Sequence, residues 1–197
     1  MVKTNPIQLT GKWRKGFALD LHTLSAEFLG YNEYGHPEFD TTYSPIGKLL
    51  HDLKYENERS AISAIVEATA AFLKRWNPRI DLLIPVPPSD ETRASKPVIS
   101  LARALSKEID VELCEDCVTK AKKTGQMKSV EDYAERLKLM KNAFKAYKRK
   151  VSGRKILLFD DLYRSGATLN AITQVLFRDG EAAAVFVLTV TKTRSRS

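Results

Sequence analysis

Cysteine and histidine are scarce in this chain of 197 residues. The two cysteines, Cys114 and Cys117, stand in C-E-D-C, and His22, His36 and His51 are scattered. A structural zinc site takes about four such ligands, so none is expected, and the cysteine pair reads as two reduced thiols at a strand end. No apolar run approaches the roughly 20 residues of a membrane-spanning helix. The opening MVKTNPIQLTGKW holds no apolar core of a signal peptide. The expectation is a cytoplasmic protein with no membrane partner. There is no G-x-x-x-x-G-K-[ST], which removes P-loop NTPase chemistry. No internal repeat or low-complexity linker divides the chain, and no residue stands out as a covalent nucleophile.

What is present is an ordinary globular composition, 43% hydrophobic, of a size for one domain and an appendage. The formal charge is +8, and it is localised. Residues 119–155 carry 13 Lys or Arg against 3 acids, a local +10, while the remainder is close to neutral. Such a region either focuses an anionic ligand, forms a nucleic-acid patch or is a solvated helical face.

The chain is organised around residues 155–170, KILLFDDLYRSGATLN. Ile156 to Phe159 form an unbroken apolar run, the mark of a parallel strand buried on both faces. Asp160 and Asp161 follow at once. Then come the small, hydroxylated Ser165-Gly166-Ala167-Thr168 and a helix with Leu169, Ile172 and Leu176 at helical spacing. Ligands of open parallel sheets sit beyond the carboxyl ends of the strands. The first turn of a helix has unpaired N–H groups that favour an anion, and Gly166 permits a close backbone approach. The acids would repel phosphate, so they suit the hydroxyls of a ribose or a ligand-held metal. A plain capped turn would also produce S-G-A-T. It leaves unexplained two acids placed directly behind an apolar strand, where they are costly unless paired.

Elsewhere, Phe17, Leu19 and Leu21 alternate with polar or small residues, and a second strand is expected from about 38 to 43. Residues 16–43 therefore read as an antiparallel hairpin or meander outside the main sheet, after an irregular 1–15. Ser44-Pro45 starts a helix carrying Ile46, Leu49, Leu50 and Leu53, and a longer helix runs to Asn77-Pro78. From 81 onward strands and helices alternate: strand 81–86, a helix with Val98 to Leu105, strand 111–118, a basic loop 119–130, a helix marked by Tyr133 to Phe144, the acidic strand with its helix, and a last strand 182–191. That is a parallel α/β sheet with right-handed crossovers. The organisation expected is a hairpin extension 1–43, an α/β domain 44–191 and a basic tail 192–197. Three loops should converge at the carboxyl edge: Pro87 to Arg93, 119–130, and Asp160 to Thr168.

The 155–170 segment resembles the PRPP-binding signature of type I phosphoribosyltransferases, in which an apolar strand, two acids and a T-T/S-G-x-T loop follow one another. The resemblance implies that type of fold: a parallel sheet flanked by helices, here with an N-terminal antiparallel hairpin and helical extension. It further implies that Asp160 and Asp161 bond the ribose hydroxyls of phosphoribosyl pyrophosphate (PRPP), and that Arg164, Ser165, Gly166, Ala167 and Thr168 cradle its 5′-phosphate. Arg164 stands where a Thr is usual. YSPIGKLLHDLKY (43–55), IPVPP (84–88), KTGQ (123–126), Arg136 and NAF (142–144) are similar to the ComF branch. That branch implies a diphosphate site at Pro88 and Ser89. ComF proteins typically begin with a zinc ribbon, which this chain lacks, and Arg93-Ala94-Ser95-Lys96-Pro97 replaces the usual R-G-x-N-Q.

Arg93 and Lys96 read equally as diphosphate ligands or surface charges, and Lys123 with Gln126 as a closing lid or solvated residues. Lys54 reads as a solvated helix-end lysine more readily than as a phosphate contact, and Tyr163 as structural or as a cover over the sugar. The expectation is a phosphoribosyltransferase using Mg²⁺ carried by PRPP and acting on an unnamed nitrogenous acceptor. The alternative is a module that senses PRPP or a nucleoside monophosphate and binds nucleic acid through 119–155. A homodimer is left open.

Overall fold

The computed structural model describes residues 2–56, 58–88, 96–121 and 143–194. Its first strands are β1 (Ile7–Leu9), β2 (Lys15–Leu21), β3 (Thr23–Tyr31) and β4 (Pro37–Tyr43). Helix α1 (Pro45–His51), a π-helical turn Asp52–Glu56 and α2 (Ala61–Trp76) follow. Then come β5 (Leu82–Pro85), α3 (Pro97–Ile109), β6 (Val118–Lys120) and β7 (Phe144–Ala146). The chain continues with α4 (Lys148–Val151), β8 (Lys155–Tyr163), α5 (Ala167–Arg178) and β9 (Ala184–Lys192).

The central sheet has the order β1-β2-β9-β8-β5. All its neighbours are parallel except β1, which runs antiparallel to β2. Leu113 adds a parallel bridge on the far side of β5, through Leu83 N–H to Glu112 O at 2.8 Å and Cys114 N–H to Leu83 O at 2.9 Å. The sheet is covered on both faces, which is why its strands read as near-continuous apolar runs. Leu157, Phe159, Leu188 and Leu19 pack under α1, α2 and α3. Ile156, Leu158, Val185 and Val187 pack under α5 and Trp13.

Four expectations are corrected. First, β2 is not part of an extension outside the main sheet: it pairs in parallel with β9 from Lys15↔Phe186 to Leu21↔Lys192. Its second face is closed by the small Ala18 lying under Trp13, so it looks polar in sequence although it is buried. The hairpin proper is β3–β4. Second, residues 1–15 are not wholly irregular, since β1 forms there and Trp13 is buried, its indole N–H donating to Leu9 O at 3.2 Å. Third, the strand expected over 111–118 is a single bridge at Leu113, and β6 instead joins β7 in a separate antiparallel ribbon. Fourth, Cys114 and Cys117 are joined by a disulfide rather than reduced. The bend at 115–117 brings their Cα atoms to 5.5 Å, within bonding range. The helix expected around Tyr133 to Phe144 falls mainly outside the described residues; Phe144 itself is in β7.

Candidate functional site

The topology alone selects a location. From β5 the chain crosses through α3 to Leu113 on one side, while β8 lies on the other. The crevice between β5 and β8, at their carboxyl ends, is therefore a switch point of the strand order, where open α/β sheets bind ligands. β5 follows β8 only as far as Pro85↔Phe159. β8 continues, against β9, through Asp160↔Thr189 to Tyr163↔Lys192. Asp160 and Asp161 are thus the first residues of β8 with no strand beside them on the β5 side. The sequence places them in a loop; they stand instead on the strand, held by β9.

A strand alternates its side chains between faces, so the two acids diverge. Asp161 lies on the face of Leu157 and Phe159, beneath α1 and the π-helical turn. There Lys54 Nζ meets its Oδ2 at 2.7 Å, with both side chains less than one-fifth exposed. Lys54 is thus a half-buried counter-ion and not the solvated helix-end lysine the sequence favours. Its position depends on the π-helical turn, an irregularity that often marks functional sites. Ser44 anchors that segment: its Oγ accepts from Gly47 N–H at 3.0 Å and donates to Leu21 O at 2.5 Å.

Asp160 lies on the α5 side and accepts the Asp161 N–H at 2.9 Å. Burial, and secondly the charge of Asp161, push its carboxyl up to about 8; the hydrogen bond and Lys54 oppose this only in part. Near neutral pH Asp160 therefore keeps its proton. Thr191 Oγ1 reaches Asp161 O at 3.4 Å and His22 Nδ1 at 3.3 Å. Burial, with Lys54 and His51 adding, holds His22 below its ordinary value, so it is neutral beside the acids.

The turn into α5 has the expected form. Gly166 takes a left-handed conformation, φ 75°, that glycine adopts without strain. Asn170 N–H bonds to Gly166 O at 2.8 Å, while the amides of Gly166, Thr168 and Leu169 have no partner among the described residues. Arg164, Ser165 and Thr168 are exposed around these amides. Tyr163 packs its ring against Gly166, so a Cβ there would lie 2.7 Å from the Tyr163 hydroxyl. Lys192 Nζ sits 5.9 Å from the same ring. Tyr163 therefore supports the loop from beneath.

The loop after β5 enters through Val86, whose N–H bonds to Phe159 O at 2.8 Å. Lys120 Nζ donates to Pro88 O at 2.6 Å, which brings the ends of β5 and β6 together, as two of the three expected loops require. Ser89, Arg93, Lys123, Gln126 and Arg136 lie outside the described residues. Lys54, His22 and Thr191 are the site residues that sequence reasoning missed or ranked low. Only Lys54 left a trace, four residues after the buried Leu50 of an amphipathic run.

With the geometry in place, the structure can be set beside solved ones. It is similar to adenine phosphoribosyltransferase of Trypanosoma brucei in complex with AMP, pyrophosphate and ribose 5-phosphate. The TM-score is 0.51 at 11% identity, over 96% of this chain and 75% of that one. The fold is that of the type I phosphoribosyltransferases.

Other similar structures include a glutamine PRPP amidotransferase of Bacillus subtilis, at TM-score 0.49 and 18% identity over 77% of this chain. This chain spans 28% of that enzyme's length. Another is adenine phosphoribosyltransferase of Saccharomyces cerevisiae, at 0.47 and 16% identity over 84% of each chain. No protein-family model matches the sequence, and neither does any curated protein. On the phosphoribosyltransferase fold, the Asp160–Asp161 pair and the 164–168 turn occupy the carboxyl edge of adjoining parallel strands. Among the described residues no helix is long and apolar enough to cross a membrane.

Proposed function

We propose that the protein is a phosphoribosyltransferase that binds PRPP with Mg²⁺ and transfers phosphoribose to a nitrogenous acceptor. The observation that carries this reading is the junction of β8 with α5. One sugar phosphate can place its ring hydroxyls at Asp160 and Asp161 and its 5′-phosphate on the free amides of 166, 168 and 169, flanked by Arg164, Ser165 and Thr168. The diphosphate end then falls toward Pro88, and Ser89, Arg93 and Lys123 are its further ligands in this reading.

The chain's work in such a transfer is positioning and charge placement. The ring becomes cationic as diphosphate departs from the anomeric carbon, and the acidic pair stands beside it. Binding energy from the remote phosphate favours the transition state. The Lys54 contact holds the Asp161 side chain in place. Because Asp161 is engaged by Lys54 and Asp160 retains a proton to about 8, the acids suit sugar hydroxyls better than direct metal ligation. The donor set fits a Mg²⁺ that arrives on the ligand. When bound, Mg²⁺ neutralises the departing diphosphate.

Within the fold, the segments 43–55, 84–88, 123–126 and 142–144 support a ComF-like placement. A second reading, a PRPP or nucleoside monophosphate sensor that binds nucleic acid, is favoured by the +10 charge of 119–155. Against it, Lys148, Lys150 and Arg154 already pair with Glu181, Asp116 and Glu112. Diphosphate release from PRPP, assayed with Mg²⁺ and a panel of ammonia and free nucleobases, separates the readings. Release that disappears in Asp161→Asn supports transfer. Tight PRPP binding with no release for any acceptor, together with salt-dependent binding of single-stranded DNA, overturns it in favour of the sensor.

A further inference from the structure

Transfer to a ring nitrogen that bears a hydrogen releases a proton, and neither acid of the site is placed to receive it. Asp160 keeps its own proton near neutral pH. Asp161 has its Oδ2 against Lys54 Nζ at 2.7 Å. His51 turns its Nδ1 to Asp52 Oδ1, at 3.2 Å. His22 is a titratable group at this edge of the sheet that positioning and charge placement leave unused.

His22 follows directly on the carboxyl end of β2. Its N–H bonds to Lys192 O at 2.8 Å, and its carbonyl accepts the Ser44 N–H at 3.3 Å. Its side chain meets the Tyr43 ring edge-on, with centroids 5.5 Å apart. The tautomer follows from Thr191, whose hydroxyl lies 3.4 Å from Asp161 O and 3.3 Å from His22 Nδ1. A carbonyl only accepts, and a hydroxyl has one proton. Both contacts are met when Thr191 donates to Asp161 O and the Nδ1–H of His22 donates to Thr191. The lone pair is then on Nε2, which has no hydrogen-bond partner among the described residues. One hydroxyl thus separates the imidazole from the backbone of Asp161. A base whose tautomer and orientation are fixed through its other nitrogen is suited to proton transfer.

We infer that His22 is the general base of the transfer and takes the N–H proton of a heterocyclic acceptor on Nε2. This rests on the phosphoribosyltransfer reading. The acceptor nitrogen bonds to the anomeric carbon as the carbon–oxygen bond to diphosphate breaks, and diphosphate leaves with that electron pair. The acceptor's proton passes to Nε2, and His22 returns it to solvent after the product departs. The surroundings keep the imidazole available. Burial is the largest influence that lowers it from its ordinary 6.5, and Lys54 of the π-helical turn, His51 of α1 and Arg164 of the turn before α5 add to this. Asp161 of β8 opposes them. Tyr43 of β4 and Thr191 of β9 face the ring without charge.

The test measures diphosphate release by the full chain from PRPP with Mg²⁺, using the free nucleobase that gives the fastest release. In the wild type, kcat/KM for that base is expected to fall as pH drops below 6.5, because only the neutral imidazole accepts a proton. His22→Gln is expected to lose roughly 10²–10⁴-fold in release, the range for a general base, and to lose the acidic limb. Its affinity for PRPP, measured by calorimetry, should stay within about threefold of wild type, since a tenfold change would mark a binding role. The ¹⁵N spectrum of the wild-type imidazole gives a readout that needs no turnover, and the Nδ1–H tautomer is expected for His22 at neutral pH. An Nε2–H tautomer, release by His22→Gln near the wild-type rate, an acidic limb that persists in it, or a lost PRPP affinity overturns the inference while transfer stands. So does release with ammonia alone, because ammonia can shed its proton after the bond has formed. No release by the wild type with any acceptor removes the transfer reading and this inference together.

Discussion

Lys54 and Asp161 lie 107 positions apart in sequence, yet Lys54 Nζ contacts Asp161 Oδ2 at 2.7 Å. The contact joins the π-helical turn after α1 to the acidic end of β8 and sets the charge of the site. With Lys54 in place a positive charge faces Asp161, and the carboxyl of Asp160 beside it is pushed up to about 8. Replacing the lysine removes the cation that contacts this pair. Lys54→Met is expected to lower stability by about 1–3 kcal/mol, as for the loss of a charged hydrogen bond. It should also raise the carboxyl of Asp160 further. Chemical denaturation, and the carboxyl ¹³C shift of Asp160 followed with pH, measure the two effects.

Asp160 predicts an unusual pH dependence. Its folded-state value, about 8, lies above the ordinary 3.8. The folded chain therefore binds one more proton than the unfolded chain between those values, and stability falls as pH rises across that window. The contribution is complete below about 4 and lost by the time pH passes about 8. Asp160→Asn should flatten this slope and stabilise the protein at neutral pH by about 1–2 kcal/mol, while weakening ligand binding, a trade common at functional sites. Denaturant midpoints from pH 5 to 9 test it; a wild-type slope that persists in Asp160→Asn contradicts it.

Gly166 combines a left-handed backbone with a neighbour that leaves no room for a Cβ. Gly166→Ala is expected to cost about 1–2 kcal/mol from the backbone alone, with a further loss from the Tyr163 contact. Adding Tyr163→Ala should recover only the second part. Comparing melting free energies of the single and double variants separates the two causes.

Gly47 ties the fold to the site. A side chain there would collide with the His22 backbone carbonyl, at the point where Ser44 holds α1 to the end of β2. Gly47→Ala is expected to push α1 outward, costing about 1–3 kcal/mol as overpacking does, and to draw Lys54 away from Asp161. The Lys54 ammonium resonance and a weaker PRPP affinity report the displacement. Unchanged affinity with lowered stability would show that the site tolerates the shift.

The parts of this site that were legible in the sequence are local. Four apolar residues, two acids, a small-residue turn and a helical stripe follow in one stretch, and no distant contact is needed to read them. What was hidden depends on partners far along the chain. β8 continues through Asp160 and Asp161 only because Thr189, Thr191 and Lys192 of β9 accompany it. β2 belongs to the sheet because Trp13 covers Ala18, a residue too small to signal burial. Lys54 looked solvated because an ordinary helix, rather than a π-helical turn, was the natural continuation of α1.

The most direct test of a single ligand spanning the aspartates and the turn is calorimetric titration of PRPP with Mg²⁺ into the wild type and Asp161→Asn. The account predicts saturable binding to the wild type and at least a tenfold loss in the variant, about 1.4 kcal/mol or more, with its circular dichroism unchanged. Equal affinities for the two proteins would contradict it.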